Sequence, residues 1–123
     1  MCFACGPNNP IGLRLEFAFE ADKYVARFTP LPEYQGYDNI THGGIIGTLL
    51  DEVMAKLVYA KGYMAVTAQL SIKYRKPAHT GELLIVSGWI TSEPRSRIID
   101  CASEIRDQQG LLIAEAEGRM FRV

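Results

Sequence analysis

Apolar and polar residues alternate along most of this chain, and one internal stretch departs from that pattern. On both sides of it, apolar side chains recur at every second position, which is the period of a half-buried strand. Residues 45–58 instead carry apolar pairs every four positions, which form one continuous face of an α-helix. The pattern predicts strands at residues 13–20 and 24–29, a helix ending near Lys61-Gly62, and strands at 63–76, 83–92, 97–106 and 111–123.

Turn signals between these segments indicate how the strands are connected. Ala21-Asp22-Lys23 predicts a hairpin, Gly62 a left-handed helix end, and residues 30–40 an irregular loop. Short connections between the last four strands predict antiparallel neighbours. The expected fold is an α+β domain spanning residues 1–123, in which a six-stranded antiparallel sheet packs on one long helix.

The strand predicted at 63–76 is expected to be a site of self-association. Strict alternation places even-numbered residues such as Val66 and Ile72 on one face, and Thr67 with other polar residues on the opposite face. That second face is polar but mostly uncharged in its middle, and one helix covers only part of so large a sheet. We expect a homodimer, the commonest symmetric assembly, or a dimer of dimers.

Composition and charge narrow the possible partners. The chain is 48% apolar and 22% charged, and no apolar run approaches the roughly 18 residues of a membrane span. A net charge of −1 gives no overall attraction for nucleic acid, so an anionic ligand needs a local basic cluster. The candidates are Lys73, Arg75 and Lys76, with Arg95 and Arg97 as a second group. MCFACGPNNP shows no secretory signal, so the expected compartment is the cytoplasm.

Cys2 and Cys5 have the C-x-x-C spacing of half a zinc site or of a redox pair. A structural zinc site usually draws four ligands from two such pairs, and Cys101 stands alone in the sequence. A redox pair is expected to open a helix, whereas Gly6-Pro7 follows here and indicates a turn. We therefore expect reduced structural thiols, with no metal and no cofactor.

The stretch THGGIIGTLLDE, residues 41–52, is the strongest candidate for chemistry. A helix N-terminus presents free N–H groups and a positive dipole end, which favour an anion or a developing oxyanion. Glycine at 43 and 44 lets a ligand approach, although a simple cap by Thr41 and a solvated Asp51 would also explain the pattern. Asp51 lies at the edge of the apolar face, where reduced hydration makes a carboxylate a better base. Helix rise separates Gly43 from Asp51 by about 12 Å, so cooperation between them requires a facing helix of a partner subunit.

This stretch resembles the helix start of hotdog-fold acyl-CoA thioesterases of the PaaI-like branch, in which His-Gly-Gly is followed, after about seven residues, by Asp or Glu. The element order and the start CFACGPNNPIGLRLEF are similar to that family as well, so the resemblance covers nearly the whole chain. It implies a hotdog fold, in which the sheet wraps the central helix. It also implies hydrolysis of an acyl-CoA to free acid and CoA without a metal.

The resemblance implies roles for individual residues. Asp51 would be the general base or nucleophile, and Thr67 would help to hold the attacking water. The Gly43 N–H would polarise the thioester carbonyl, with His42 shaping that pocket. Many relatives carry a supporting Asn shortly before His-Gly-Gly, and neither Gln35 nor Asn39 stands at that spacing. The residues expected to contact substrate are Gly44, Gln35, Asn39, Met54, Lys73, Arg75 and Lys76.

Two other functions remain open at this stage. A hotdog dehydratase or hydratase pairs a histidine with an acid at other spacings, and Asp38 precedes His42 by four residues. A non-catalytic acyl-CoA-binding protein could use the same pocket, although a regulator normally carries a DNA-binding domain as well and Asp51 favours catalysis. The sequence does not specify the acyl group, because the candidate pocket residues suit aryl and aliphatic chains alike.

Overall fold

The computed structural model describes residues 1–92 and 97–123. That part of the chain contains one long α-helix, one short 3-10 helix and six strands. Their bounds are β1 Ala18–Glu20, β2 Lys23–Phe28, the 3-10 helix Pro32–Tyr34, α1 Gly43–Ala60, β3 Ala65–Tyr74, β4 Leu84–Ile90, β5 Ile98–Asp107 and β6 Leu112–Arg122. The predicted order of two strands, one helix and four strands is confirmed.

The strands form one antiparallel sheet in the order β1-β2-β4-β5-β6-β3. β4, β5 and β6 pair in sequence as predicted, but the expected pairing of β3 with β4 is wrong, because β3 pairs with β6. The connection from β3 to β4 is not a hairpin. It passes the start of α1, where the Thr41 N–H donates to the Ala78 carbonyl at 2.8 Å and the Gly81 N–H to the Pro30 carbonyl at 2.9 Å. This crossing leaves β3 at one edge of the sheet.

Helix α1 packs on one face of the sheet, against β2 to β6. Its apolar face is buried, and each such side chain stabilises the fold by about 1.5–3 kcal/mol. The helix ends as predicted: Lys61 is the C-cap, and Gly62 has a φ of 96°, which glycine adopts without a steric penalty. Within the described residues, no helix combines the length and the apolar character needed to cross a membrane.

A β-bulge in β3 changes which residues share a face. The register with β6 passes from Thr67 opposite Met120 directly to Gln69 opposite Arg119, so Ala68 has no residue opposite it. One extra residue reverses the alternation beyond it. The predicted separation of Thr67 from the Ile72 face is therefore wrong, because both side chains point towards α1. Tyr74 lies on that face too, and its hydroxyl donates to the Gly43 carbonyl at 2.9 Å.

The first strand is much shorter than the predicted 13–20. Leu13 and Leu15 are buried, as the alternation indicates, but their N–H groups donate to the carbonyls of Phe3 and Ala4 at 2.8 and 2.9 Å. The alternation thus reflects burial beside the N-terminal segment instead of pairing within the sheet. This pairing anchors the N-terminal segment, including Cys2 and Cys5, on the body of the domain.

Candidate active site

Asp51 and Thr67 lie together between α1 and β3. The Thr67 hydroxyl donates to Asp51 Oδ1 at 2.7 Å, and its oxygen lies 3.4 Å from the sulfur of buried Met120. Both residues are half-buried. Asp51 Oδ2 has no hydrogen-bond partner in the part of the chain that the structure describes. The carboxylate is therefore held at one oxygen, and its other oxygen is available to a ligand or a water molecule.

The N-terminus of α1 is capped by His42. Its Nδ1 accepts a hydrogen bond from the Gly44 N–H at 2.8 Å, so the alternative that Thr41 is the N-cap is wrong. Imidazole nitrogen satisfies one of the free donors of the helix start. Among the described residues, the Gly43 N–H forms no hydrogen bond. Gly43 is exposed and stands at the positive end of the helix dipole.

Two further glycines of α1 stand where a side chain would have little room. A Cβ on Gly44 would stand 3.0 Å from His42 Nδ1 and would disturb the cap. A Cβ on Gly47 would stand 3.2 Å from Ile72 Cδ1, so this glycine lets the helix approach β3. Each costs about 1 kcal/mol of helix propensity relative to alanine, which the cap and the close packing offset.

A cleft of about 370 Å³ opens beside this helix start, lined by Glu33, Tyr34, Gln35, His42, Gly44, Ile45 and Thr48. The Gln35 side chain holds the loop that lines this cleft, because its Nε2 donates to the Pro32 carbonyl at 2.8 Å and its Oε1 accepts from the Asn39 N–H. Asn39 is exposed and has a left-handed φ of 62°. Of the candidate substrate contacts, Gln35 and Gly44 thus line one cleft, and Asn39 shapes its loop.

A larger groove lies on the outer face of the sheet, away from these groups. It has a volume of about 620 Å³, and its charged wall includes Asp100 and Arg119, which are paired at 2.8 Å. None of the predicted catalytic residues lines it. We therefore place the candidate site along α1, at its N-terminus and at Asp51, and not in this groove.

The remaining residues predicted to contact substrate lie outside this cleft. Met54 has no exposed surface and packs in the core beside Gly118, so the expectation that it contacts substrate does not hold for this protomer. Lys73, Arg75 and Lys76 are exposed, and Arg75 pairs with Glu115 at 2.8 Å. In the second basic group, Arg97 is exposed, whereas Arg95 lies outside the described residues.

Two groups of predicted catalytic residues therefore stand apart within one protomer. Asp51 and Thr67 form the first, and His42, Gly43 and Gly44 form the second. The helix rise keeps Gly43 and Asp51 about 12 Å apart. Tyr74, which the alternation places on the Ile72 face without indicating its partner, joins β3 to the second group through its hydrogen bond to Gly43.

The cysteines occupy two environments. Cys101 is buried in the core, and burial raises the pKa of its thiol to about 11. Cys2 and Cys5 lie beside Glu52, with the Cys2 sulfur 3.6 Å from Glu52 Oε2. The Cys5 N–H lowers the pKa of Cys2, whereas burial and then the Glu52 carboxylate raise the pKa of Cys5 to about 12. No sequence signal connects Glu52 with cysteines fifty residues away.

Comparisons with known proteins agree with this architecture. Residues 38–114, more than half of the chain, match the family model described as the thioesterase superfamily. A protein of Archaeoglobus fulgidus, provisionally named an esterase, is 31% identical over 91 residues, which span 74% of this chain and 58% of that relative. The protein smu.793 of Streptococcus mutans, solved bound to acetyl CoA, is 25% identical with a TM-score of 0.82, over 89% of this chain and 88% of that chain.

The PaaI protein of E. coli, from the phenylacetic acid degradation operon, shares the fold. Its TM-score is 0.82 at 21% identity, and the match covers 89% of this chain and 84% of that chain. The six-stranded antiparallel sheet around one helix is thus the hotdog fold, of the PaaI-like kind. On the family match and the shared architecture, the chain belongs to the thioesterase superfamily.

Proposed function

We propose that this protein is an acyl-CoA thioesterase that hydrolyses an aryl or aliphatic acyl-CoA to the free acid and CoA. The observation that carries the proposal is the hydrogen bond of 2.7 Å from Thr67 to Asp51, which orients a half-buried carboxylate and leaves Oδ2 open. A carboxylate held in this way is suited to take a proton from water or to attack a carbonyl carbon.

The second part of the proposed site is the free Gly43 N–H. As a nucleophile adds to the thioester carbonyl, negative charge develops on the carbonyl oxygen, and a backbone N–H at a helix N-terminus stabilises that charge. Gly43 has no side chain in the way of the substrate, and the adjacent Gly44 N–H is already engaged with His42. His42 therefore keeps the helix start in place and leaves the Gly43 N–H without a partner among the described residues.

The reaction can proceed in two ways that this arrangement supports. As a general base, Asp51 takes a proton from water while the water oxygen bonds to the carbonyl carbon; the carbon–sulfur bond then breaks, and the CoA thiolate recovers the proton. As a nucleophile, Asp51 forms a mixed anhydride with release of CoA, and water then hydrolyses it. Label in the Asp51 side chain after single turnover in ¹⁸O-labelled water would identify the second route, since it enters there only when water attacks the Asp51 carbonyl of the anhydride.

The geometry of β3 supports a site shared by two subunits. One end of β3 contacts the acid through Thr67, and the other end contacts the helix start through Tyr74. Antiparallel pairing of this edge strand with its own copy would set Thr67 opposite Tyr74 of the partner subunit. Asp51 of one subunit would then face the helix start of the other. Val66, 56% exposed on β3, provides apolar surface for such an interface.

The proposed substrate class is supported by the acetyl CoA that the Streptococcus mutans protein binds. Coenzyme A carries anionic phosphates, which exposed basic side chains bind. Lys73 and Lys76 are exposed at the end of β3 and form no ion pair among the described residues, so we propose them as phosphate contacts. Arg75 would contribute after release from Glu115.

The test is thiol release from a panel of aliphatic and aryl acyl-CoAs by the wild-type protein and by Asp51→Asn. We expect turnover of at least one thioester, and a decrease in kcat of about 10²- to 10⁴-fold in the variant, the range that a general base contributes. Asp22→Asn is the matched control, because Asp22 is an exposed turn residue and its loss should leave kcat unchanged. Full activity in Asp51→Asn, or binding of acyl-CoA without any hydrolysis, would refute the proposal.

A further inference from the structure

The N-terminal C-x-x-C segment forms a tight turn that directs both sulfurs to one side. The Gly6 N–H donates to the Cys2 carbonyl at 2.9 Å, and the Cys5 N–H points at the Cys2 sulfur at 3.4 Å. A Cβ on Gly6 would stand 2.5 Å from the Cys2 backbone nitrogen, so this turn requires glycine.

The fold adds a third donor from α1. Ligand atoms of Cys2, Cys5 and Glu52 all lie within 4.8 Å of one another, and the Cys2 sulfur is 3.6 Å from Glu52 Oε2. Around a tetrahedral zinc, bonds of about 2.3 Å to sulfur and about 2.0 Å to oxygen place a sulfur and an oxygen about 3.5 Å apart, and two sulfurs about 3.8 Å apart. The Cys2–Glu52 separation already matches this geometry, and the other two pairs lie close enough for small side-chain rotations to reach it.

We propose that Cys2, Cys5 and Glu52 bind one thiophilic divalent cation, zinc in the first instance, with water at the fourth position. Two thiolates and one carboxylate are donors that zinc accepts. The cation would fasten the N-terminal segment to α1 at the residue that follows Asp51. This segment already pairs through Phe3 and Ala4 with residues 13–15, so the ligands are partly preorganised. The role is structural and separate from the thioester chemistry proposed above.

The experiment measures metal content of the full chain, purified without a polyhistidine tag under reducing conditions and supplied with zinc. We expect about one zinc per chain, a thiolate-to-metal absorption band on replacement by Co²⁺, and a melting temperature about 5 °C or more higher with zinc than after chelation. Cys2→Ser and Cys5→Ser should abolish binding, and Glu52→Gln should weaken it at least tenfold. Glu16→Gln and Asp51→Asn are the controls and should retain the metal, since neither residue is a ligand.

Three results would overturn the proposal. The first is less than a tenth of an equivalent of zinc in the reduced wild-type protein, and the second is full zinc retention by Cys2→Ser. The third is a Cys2–Cys5 disulfide as the stable form, seen as a loss of two hydrogens in the intact mass, with no metal uptake after reduction. Circular dichroism of each variant shows whether the domain is folded. Because the readout is metal content, failure here leaves the thioesterase proposal untouched, and the reverse also holds.

Discussion

The hydroxyl of Thr67 has one hydrogen to donate, and in this protein it is donated to Asp51. At the scale of single residues, this contact decides how the carboxylate is presented. The same strand position filled by valine would keep the volume but leave Asp51 Oδ1 without its partner. Hydrogen bonds to charged groups contribute about 1.5–3 kcal/mol, and about 1.4 kcal/mol corresponds to a factor of ten in rate.

We therefore predict that Thr67→Val decreases kcat by about 10- to 100-fold with little change in KM. Thr67→Ser, which retains the hydroxyl, should stay within about threefold of the wild-type kcat. Steady-state hydrolysis of the best thioester in the panel provides both constants. Equal activity of the valine and serine variants would show that this hydrogen bond plays no part in the reaction.

The candidate residues of the site were more predictable from the sequence than the contacts they make. Asp51 and Thr67 could be named from their motif and strand position, yet their hydrogen bond depends on how α1 lies across β3. His42 caps the helix through an imidazole nitrogen, which is not a common N-cap acceptor, and the sequence pattern pointed only to Thr41 as an alternative cap. Glu52 lacks any local signal, because its neighbours Cys2 and Cys5 are brought to it only by the fold.

At the scale of elements, α1 was predictable and β3 was only partly so. The helix follows from a long 3.6-residue period and a glycine at its end, both of which are local properties. The bulge at Ala68 and the pairing of β3 with β6 depend on residues about fifty positions away, which no local pattern encodes. The same limit explains Met54: its position on the helix wheel was correct, but the depth of its burial depends on the strands that cover it.

The burial of Met54 predicts how substitutions at this position change the stability of the domain. Met54→Ala should lower the free energy of unfolding by about 2–5 kcal/mol, the range for deletion of a buried methionine. Met54→Leu, which conserves volume, should cost less than about 1.5 kcal/mol and leave the preference among acyl chain lengths unchanged. Chemical denaturation and the acyl-CoA panel measure the two properties. A large shift in chain-length preference in Met54→Leu, with unchanged stability, would show that Met54 does contact the substrate.

At the scale of the whole molecule, the edge position of β3 connects the fold with the reaction. A sheet edge exposes unpaired N–H and C=O groups, which pairing with a second copy satisfies. Thr67 lies near one end of β3 and Tyr74 at the other, so a two-fold axis midway between them would complete two equivalent sites. We therefore propose that Asp51 and Gly43 act together only across a subunit boundary.

Complementation between two inactive variants tests this claim most directly. Asp51→Asn removes the acid, and Gly43→Pro removes the N–H donor. Proline is accepted at the first position of a helix, and a Cβ at Gly43 makes only ordinary contact with the Tyr74 ring, at 3.6 Å. Each variant alone should lose at least about 10²-fold in kcat.

The two variants are to be coexpressed with different affinity tags, and the mixed dimer isolated on both. One of its two sites then joins an intact Asp51 to an intact Gly43, so we predict about half of the wild-type activity per dimer. The outcome that would contradict the account is a mixed dimer no more active than its two parents.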